Sequence, residues 1–79
     1  MSESQIRTVL AEHGRLPADA HRLGLHEDLY AAGLTSHASV NVMLALEDAF
    51  DIEFPDRMLR KATFGSVGAI HAAVEELTV

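Results

Sequence analysis

The stretch Ser36-His37-Ala38-Ser39-Val40-Asn41-Val42-Met43-Leu44-Ala45-Leu46-Glu47-Asp48-Ala49-Phe50 decides how the rest of the chain is read. It holds no Gly or Pro and is dense in apolar residues, and no strand-type alternation competes, so it reads as an α-helix. At about 100° per residue, Val42, Met43, Leu46 and Phe50 share one arc of roughly 100° with Ser39 at its centre. This stripe is the expected core face. Val40 and Leu44 are i, i+4 neighbours well off it, among His37, Asn41, Glu47, Asp48 and Asp51, and are expected to be partly exposed.

Upstream, Ser2 and Gln5 have the spacing of a capping box, Ile6, Val9 and Leu10 follow at helical intervals, and Gly14 offers a stop. From Arg15 to Thr35, leucines at 16, 23, 25, 29 and 34 recur without a sustained period around Pro17, Gly24 and Gly33. A stretch of that length without regular structure reads as a loop whose leucines fold over the core. Downstream, Pro55 suits the first turn of a short helix carrying Met58 and Leu59 and ending before Phe64-Gly65. Ser66 can cap a last helix in which Val67, Ile70, Val74 and Leu77 recur three and four apart.

The chain has 79 residues, room for one small domain over 1–79 and no second core. Apolar residues make up 48% of it, but only Tyr30, Phe50, Phe54 and Phe64 are aromatic, which points to an aliphatic helical core. Ala45, Ala49, Ala62, Ala69, Ala72 and Ala73 are expected to help that core pack without a cavity. The absence of cysteine excludes a disulfide, a thiolate metal site and a thiol nucleophile on the polypeptide. Twelve acids against six bases give a net charge of −6, the opposite of a nucleic-acid binder's footprint. Neither a membrane span nor a secretory signal is legible, so a cytoplasmic address is expected. His13, His21, His26, His37 and His71 include no His-x-x-x-His pair, so no metal site is expected. Ser36 and His37 are no hydrolase pair, because neighbours at a helix start point about 100° apart.

Two features are left for function. Val40 and Leu44, rimmed by Glu47, Asp48, Asp51, Glu53 and Asp56, are either ordinary exposed aliphatics or a docking surface for a partner with an Arg- or Lys-edged apolar groove. At the helix start, Thr35 or Ser36 is needed as a cap, yet a phosphoester on Ser36 would also suit the unpaired N–H groups and positive dipole end there.

The segments Asp28-Leu29, Gly33-Leu34-Thr35-Ser36-His37, Val40, Leu44 to Asp56 and Thr63-Phe64-Gly65-Ser66-Val67 together resemble the acyl and peptidyl carrier proteins. The likeness runs from about Leu25 to Leu77. It implies an all-α four-helix bundle with a long first loop and a short third helix. It also implies that Ser36 carries a covalent 4′-phosphopantetheine arm, attached from coenzyme A by a phosphopantetheinyl transferase with Mg²⁺. The arm's thiol would hold an acyl or aminoacyl group as a thioester, so a cysteine-free, non-enzymatic chain suffices. Thr35, His37, Val40, Asn41, Leu44, Glu47 and Asp48 would then meet partner enzymes.

The family's usual Asp-Ser-Leu tripeptide reads Thr35-Ser36-His37 here, with Thr35 still able to cap the helix. Position 41, often acidic in fatty-acid carriers, is Asn41. Thr-Ser-His followed by Ala-Ser-Val-Asn-Val looks most like the small free-standing bacterial aminoacyl carrier proteins. That likeness implies glycine or alanine as cargo, an ATP-dependent ligase similar to the catalytic core of seryl-tRNA synthetase, a downstream transferase, and a monomeric carrier. The alternatives are a fatty-acid or polyketide-type acyl carrier and an unmodified interaction module of the same fold.

Overall fold

A computed structural model describes residues 2–78, with side chains from residue 3 onward. Its α-helices are α1 (Ser2–His13), α2 (Ser36–Phe50) and α3 (Val67–Leu77), and no strand occurs among the described residues. The side chain of Ser2, and with it the Ser2–Gln5 capping pair, lies outside the described residues. Ile6 and Leu10 of α1, Val42 and Leu46 of α2, and Val67, Ile70 and Val74 of α3 are fully buried against one another. These are the positions that helical spacing brings to one face of each helix.

Helix α1 stops at Gly14, whose N–H donates to Leu10 O at 2.8 Å. A Cβ at Gly14 would lie 2.7 Å from that same carbonyl, so the close approach needs glycine. The chain then reverses at Arg15, left-handed with φ 53°. The long loop that follows is packed, as its leucines suggest: Leu23, Leu29 and Leu34 are buried, Leu16 is half-buried and Leu25 is exposed. One 3₁₀ turn, Ala20–Arg22, interrupts it.

Specific hydrogen bonds hold the loop down. Arg7 reaches across from α1, its Nη1 donating to Ala20 O at 3.0 Å and Leu23 O at 2.6 Å while Nε donates to Glu3 at 3.0 Å. Asp28 Oδ1 accepts from the Tyr30 N–H at 2.9 Å and the Ala31 N–H at 3.3 Å, an Asx turn that opens the final approach to α2. The Leu29 N–H donates to Gly65 O and the Gly68 N–H to Leu25 O, both at 2.8 Å, tying the loop to the entry of α3.

The short third helix expected after Pro55 is instead a pair of 3₁₀ turns, Asp56–Met58 and Lys61–Phe64. Arg60 between them is extended, with φ −130° and ψ 153°, which breaks any continuous i→i+4 ladder. Phe54 and Phe64 pin both ends of the segment, their rings edge to face at 5.3 Å. The span left between them accommodates only short turns with i→i+3 bonding. The bundle therefore has three α-helices, with 3₁₀ turns in the place of the fourth. Ser66 caps α3 as expected, its Oγ accepting from the Ala69 N–H at 3.0 Å.

The buried line of α2 is Ala38, Val42 and Leu46, rotated by about 50° from the stripe centred on Ser39. Ser39, Met43 and Phe50 are only half-buried. Ala38 takes the inner position, and Ser39 and Met43 lie toward the flank. The alanines also differ from expectation. Ala49, Ala62 and Ala72 are exposed and Ala45 and Ala69 half-buried, so the buried alanines are Ala20, Ala38 and Ala73.

Candidate functional site

The start of α2 divides two tasks between adjacent hydroxyls. Thr35, in an extended conformation, is the N-cap, and its Oγ1 accepts from the Ala38 N–H at 3.0 Å. Ser36 is thereby released from capping. Its side chain is exposed, and among the described residues its hydroxyl has no hydrogen-bond partner. Its carbonyl accepts from Ser39 Oγ at 2.7 Å, which stiffens the first turn. That turn carries no acidic side chain, so the positive end of the helix dipole is not offset locally.

The approach to this hydroxyl is fixed by Gly33, whose φ of 122° is rarely adopted by residues with a side chain. A Cβ there would also lie 2.6 Å from Pro17 Cδ. Leu34, buried, donates its N–H to Leu29 O at 2.9 Å, so the residues immediately before Thr35 are held from both sides.

Beside Ser36 opens a groove of about 290 Å³. Ser36, Ser39, Val40 and Met43 form one wall from α2, Leu59, Arg60 and Lys61 come from the segment between the 3₁₀ turns, and Tyr30 and Phe64 complete it. The sequence pattern singled out neither Tyr30 nor the Leu59-Arg60-Lys61 run as site residues. The available signal was two adjacent bases in a chain with only six.

Val40 and Leu44 stand out from α2 as expected, 51% and 53% exposed. His37, Asn41 and Asp48 are exposed around them, as are Asp51, Glu53 and Asp56 at and beyond the helix end. Asn41 and Leu44 also border a more open depression of about 360 Å³ shared with Glu12, His13 and Arg15 of the α1 end. Glu47 behaves differently from its acidic neighbours. It is half-buried, and its Oε2 accepts from the Phe54 N–H at 2.9 Å, folding the chain back after α2. The reversal itself occurs at Asp51, left-handed with φ 54°, whose N–H donates to Glu47 O. Among the described residues, no cluster of three or more His, Asp or Glu side chains is placed to hold a metal ion, and no helix is long and apolar enough to cross a membrane.

A free serine hydroxyl on a helix N-terminus is a suitable bearer for a phosphodiester-linked group. The hydroxyl is accessible, the unpaired N–H groups stabilise the anion, and the adjoining groove leaves space for a substituent. Comparison with known proteins gives the family. Residues 4–74 match the family described as the phosphopantetheine attachment site. An aminoacyl carrier protein of Agrobacterium fabrum is 50% identical over 70 residues, 89% of this chain and 84% of the relative. A carrier protein from Agrobacterium tumefaciens, crystallised with an engineered Bradyrhizobium japonicum glycine:[carrier protein] ligase and ATP, is 45% identical with a TM-score of 0.94, over 98% of this chain and 100% of that one. A chain in the complex of the B. japonicum ligase with glycylated carrier protein is 28% identical with a TM-score of 0.76, over 90% and 95% of the two chains.

Proposed function

The chain belongs to the phosphopantetheine attachment site family, and from that premise we propose that it is an aminoacyl carrier whose 4′-phosphopantetheine arm is joined to Ser36. It is a carrier and not an enzyme. The arm supplies a terminal thiol on which an amino acid is held as a thioester at high effective concentration for each docked enzyme. The observation that carries the assignment of Ser36 is the division of labour at the helix start. Thr35 Oγ1 does the capping, so the neighbouring hydroxyl is exposed and can be esterified without loss of a structural hydrogen bond. The N-terminal N–H groups of α2 then face the phosphodiester, and no acid in the first turn opposes it.

Val40 and Leu44 form the apolar centre of a docking face, with Thr35, His37 and Asn41 on one side and Glu47 and Asp48 on the other. Its charge suits enzymes that present Arg or Lys around a shallow apolar groove. Glu47 contributes to that face while its Oε2 remains engaged with the Phe54 N–H. The partners are a phosphopantetheinyl transferase that uses coenzyme A and Mg²⁺, an ATP-dependent amino acid:carrier protein ligase, and a transferase that accepts the cargo. The cargo is a small amino acid, glycine or alanine, and the glycylated carrier named for the B. japonicum ligase complex supports glycine. The carrier acts as a monomer in the cytoplasm.

The test is intact mass after incubation with coenzyme A, Mg²⁺ and a broad-specificity phosphopantetheinyl transferase, followed by glycine or alanine with ATP and a ligase of this type. The wild-type chain is expected to gain one phosphopantetheine and then one aminoacyl group. Ser36→Ala is expected to gain neither while unfolding within about 0.5 kcal/mol of wild type, as for an exposed position. No gain with the wild type, including with the transferase of its own host, refutes the reading.

A further inference from the structure

Resting on the carrier reading above, we propose that the docking face continues past Leu44 onto the end of α1, where Arg15 receives a carboxylate of the amino acid:carrier protein ligase while Leu44 seats an apolar side chain beside it. The occupant is a protein edge that carries an Asp or Glu next to an aliphatic or aromatic residue.

The depression of about 360 Å³ between the two helices is where these groups meet. Asn41, Leu44 and Ala45 form its α2 wall, and Glu12, His13 and Arg15 face them from the end of α1. At about 100° per residue, that wall is centred roughly 140° round α2 from the stripe of Ser36, Ser39, Val40 and Met43 that lines the groove. The exposed ridge of Val40 and Leu44 lies between the two, so a partner seated on the ridge overhangs the depression without entering the groove. Half-buried Ala45 leaves the floor low, and Leu44 supplies an apolar side.

The charge there is unmatched. Of the six bases, Arg7 pairs with Glu3, Arg22 with Asp19 and Arg57 with Glu76, whereas Arg15, Arg60 and Lys61 pair with no carboxylate among the described residues. Arg60 and Lys61 line the groove on the other flank of α2, where Lys61 Nζ lies 4.7 Å over the Tyr30 ring. Arg15 is the one of the three that lines the depression. Glu12 borders it as well, but its Oε1 lies 3.9 Å from His13 Nε2 and leaves the guanidinium unpaired. The face therefore suits bases over Asp48 and Asp51 and an acid over Arg15. A pattern of two signs fixes the orientation of docking, which a uniformly acidic helix does not. Asn41, neutral and able to donate through its amide, lines the same depression without opposing an incoming carboxylate.

The guanidinium is not there to hold the turn. Arg15 is exposed and left-handed at φ 53°, a conformation that glycine adopts at less cost. Arg15→Gly thus removes the charge without weakening the chain reversal, which separates a docking role from a structural one.

The experiment uses the arm-bearing protein, its mass confirmed, and the ligase, with binding followed by calorimetry and by NMR. Arg15→Gly and Arg15→Gln are each expected to raise the Kd about tenfold, the loss of one charge-assisted hydrogen bond, with a urea midpoint no lower than that of wild type for the glycine variant. Arg22→Gln makes the same change in net charge at an exposed base outside the face and is expected to bind as wild type. Glu12→Gln is expected to bind at least as tightly as wild type, because it removes the one acid lining the depression. In wild type, the ligase is expected to broaden the amide signals of Gly14, Arg15 and Ala45 together with that of Leu44. The proposal is overturned if Arg15→Gly or Arg15→Gln binds with wild-type affinity, or if Glu12→Gln weakens binding, which would mean that the depression takes a base. It is also overturned if Arg22→Gln weakens binding equally, which assigns the effect to net charge, or if the Gly14 and Arg15 signals keep their widths while those of Val40 and Leu44 broaden. Failure to gain mass at Ser36 refutes the carrier reading itself, whereas an arm-bearing chain that binds the ligase independently of Arg15 refutes only this inference.

Discussion

Replacing Gly33 with alanine isolates the backbone feature that delivers Ser36 to the surface. Two costs arise at the same atom. Holding a residue with a side chain at φ 122° costs of order 1–3 kcal/mol. The new Cβ also lies 2.6 Å from Pro17 Cδ and 3.2 Å from its Cγ. The Pro17 ring is stiff, so the loop must shift by most of an ångström, an overpacking cost of about 1–3 kcal/mol. Together Gly33→Ala should lose about 2 to 6 kcal/mol, a large part of the roughly 4 to 12 kcal/mol expected for a domain of this size. The melting temperature should fall by roughly 10 °C or more. Urea unfolding followed by circular dichroism measures the loss, and the rate of phosphopantetheine transfer by intact mass reports on the misplaced Thr35–Ser36 turn. Adding Pro17→Ala removes the clash and leaves the strain, so the double-mutant cycle should show a favourable coupling of about 1–3 kcal/mol. Gly24→Ala is the control, because its Cβ would meet only Glu27, at 3.7 Å, and should change stability by less than about 1 kcal/mol. A Gly33→Ala loss below about 0.5 kcal/mol, the level of an ordinary surface change, would refute the reasoning.

Thr35→Ala removes the acceptor for the Ala38 N–H and should cost about 1 kcal/mol in urea unfolding, whereas Thr35→Asp, which keeps an acceptor, should cost less. An equal loss in both would mean that the Thr35 hydroxyl does not cap α2. Leu44→Glu should leave unfolding nearly unchanged and weaken binding to the ligase, measured by calorimetry, since Leu44 is 53% exposed. Leu46→Ala, two positions on and fully buried, should cost about 2 to 5 kcal/mol.

The bounds of α2 were legible because nothing between Ser36 and Phe50 breaks a helix and hydroxyls precede it. Its exposed pair was legible for the same reason, since Val40 and Leu44 lie off any helical arc that includes Val42 and Leu46. The rotation of the buried line toward Ala38 was not, because hydropathy ranks Met43 above an alanine, whereas which flank of the helix is covered is decided by packing between elements. The segment after Pro55 failed as a helix because its ends are fixed by Phe54 and Phe64, which lie ten positions apart and meet only in the folded chain. The same long-range packing hid the groove. Tyr30, Ser36 and Lys61 have no common sequence pattern and come together only once the loop is tied down at Gly65. Glu47 was legible as an acid on a polar face but not as the acceptor for Phe54, because the left-handed turn at Asp51 that brings them together has no glycine to announce it.

The division of charge along α2 bears on how partners distinguish the modified from the unmodified chain. The helix begins with no acid in its first turn and ends among Glu47, Asp48 and Asp51, in a chain of net charge −6. From Ser36 to Glu47 and Asp51 the axial separation is about 16 to 22 Å at 1.5 Å per residue. The Debye length at physiological ionic strength is about 8 Å, so a phosphodiester on Ser36 and the acidic end of the helix barely sense each other through water. Under the proposed function, modification would leave the field over the acidic end almost unaltered, and a ligase and a transferase would approach that end with the same electrostatic attraction whether or not the arm is present. Their discrimination must come from contacts within about a Debye length of Ser36: Thr35, His37, Val40 and the groove wall. Thr35 in place of the family's usual aspartate would serve this arrangement, because it keeps the helix cap without placing a second negative charge beside the proposed phosphodiester.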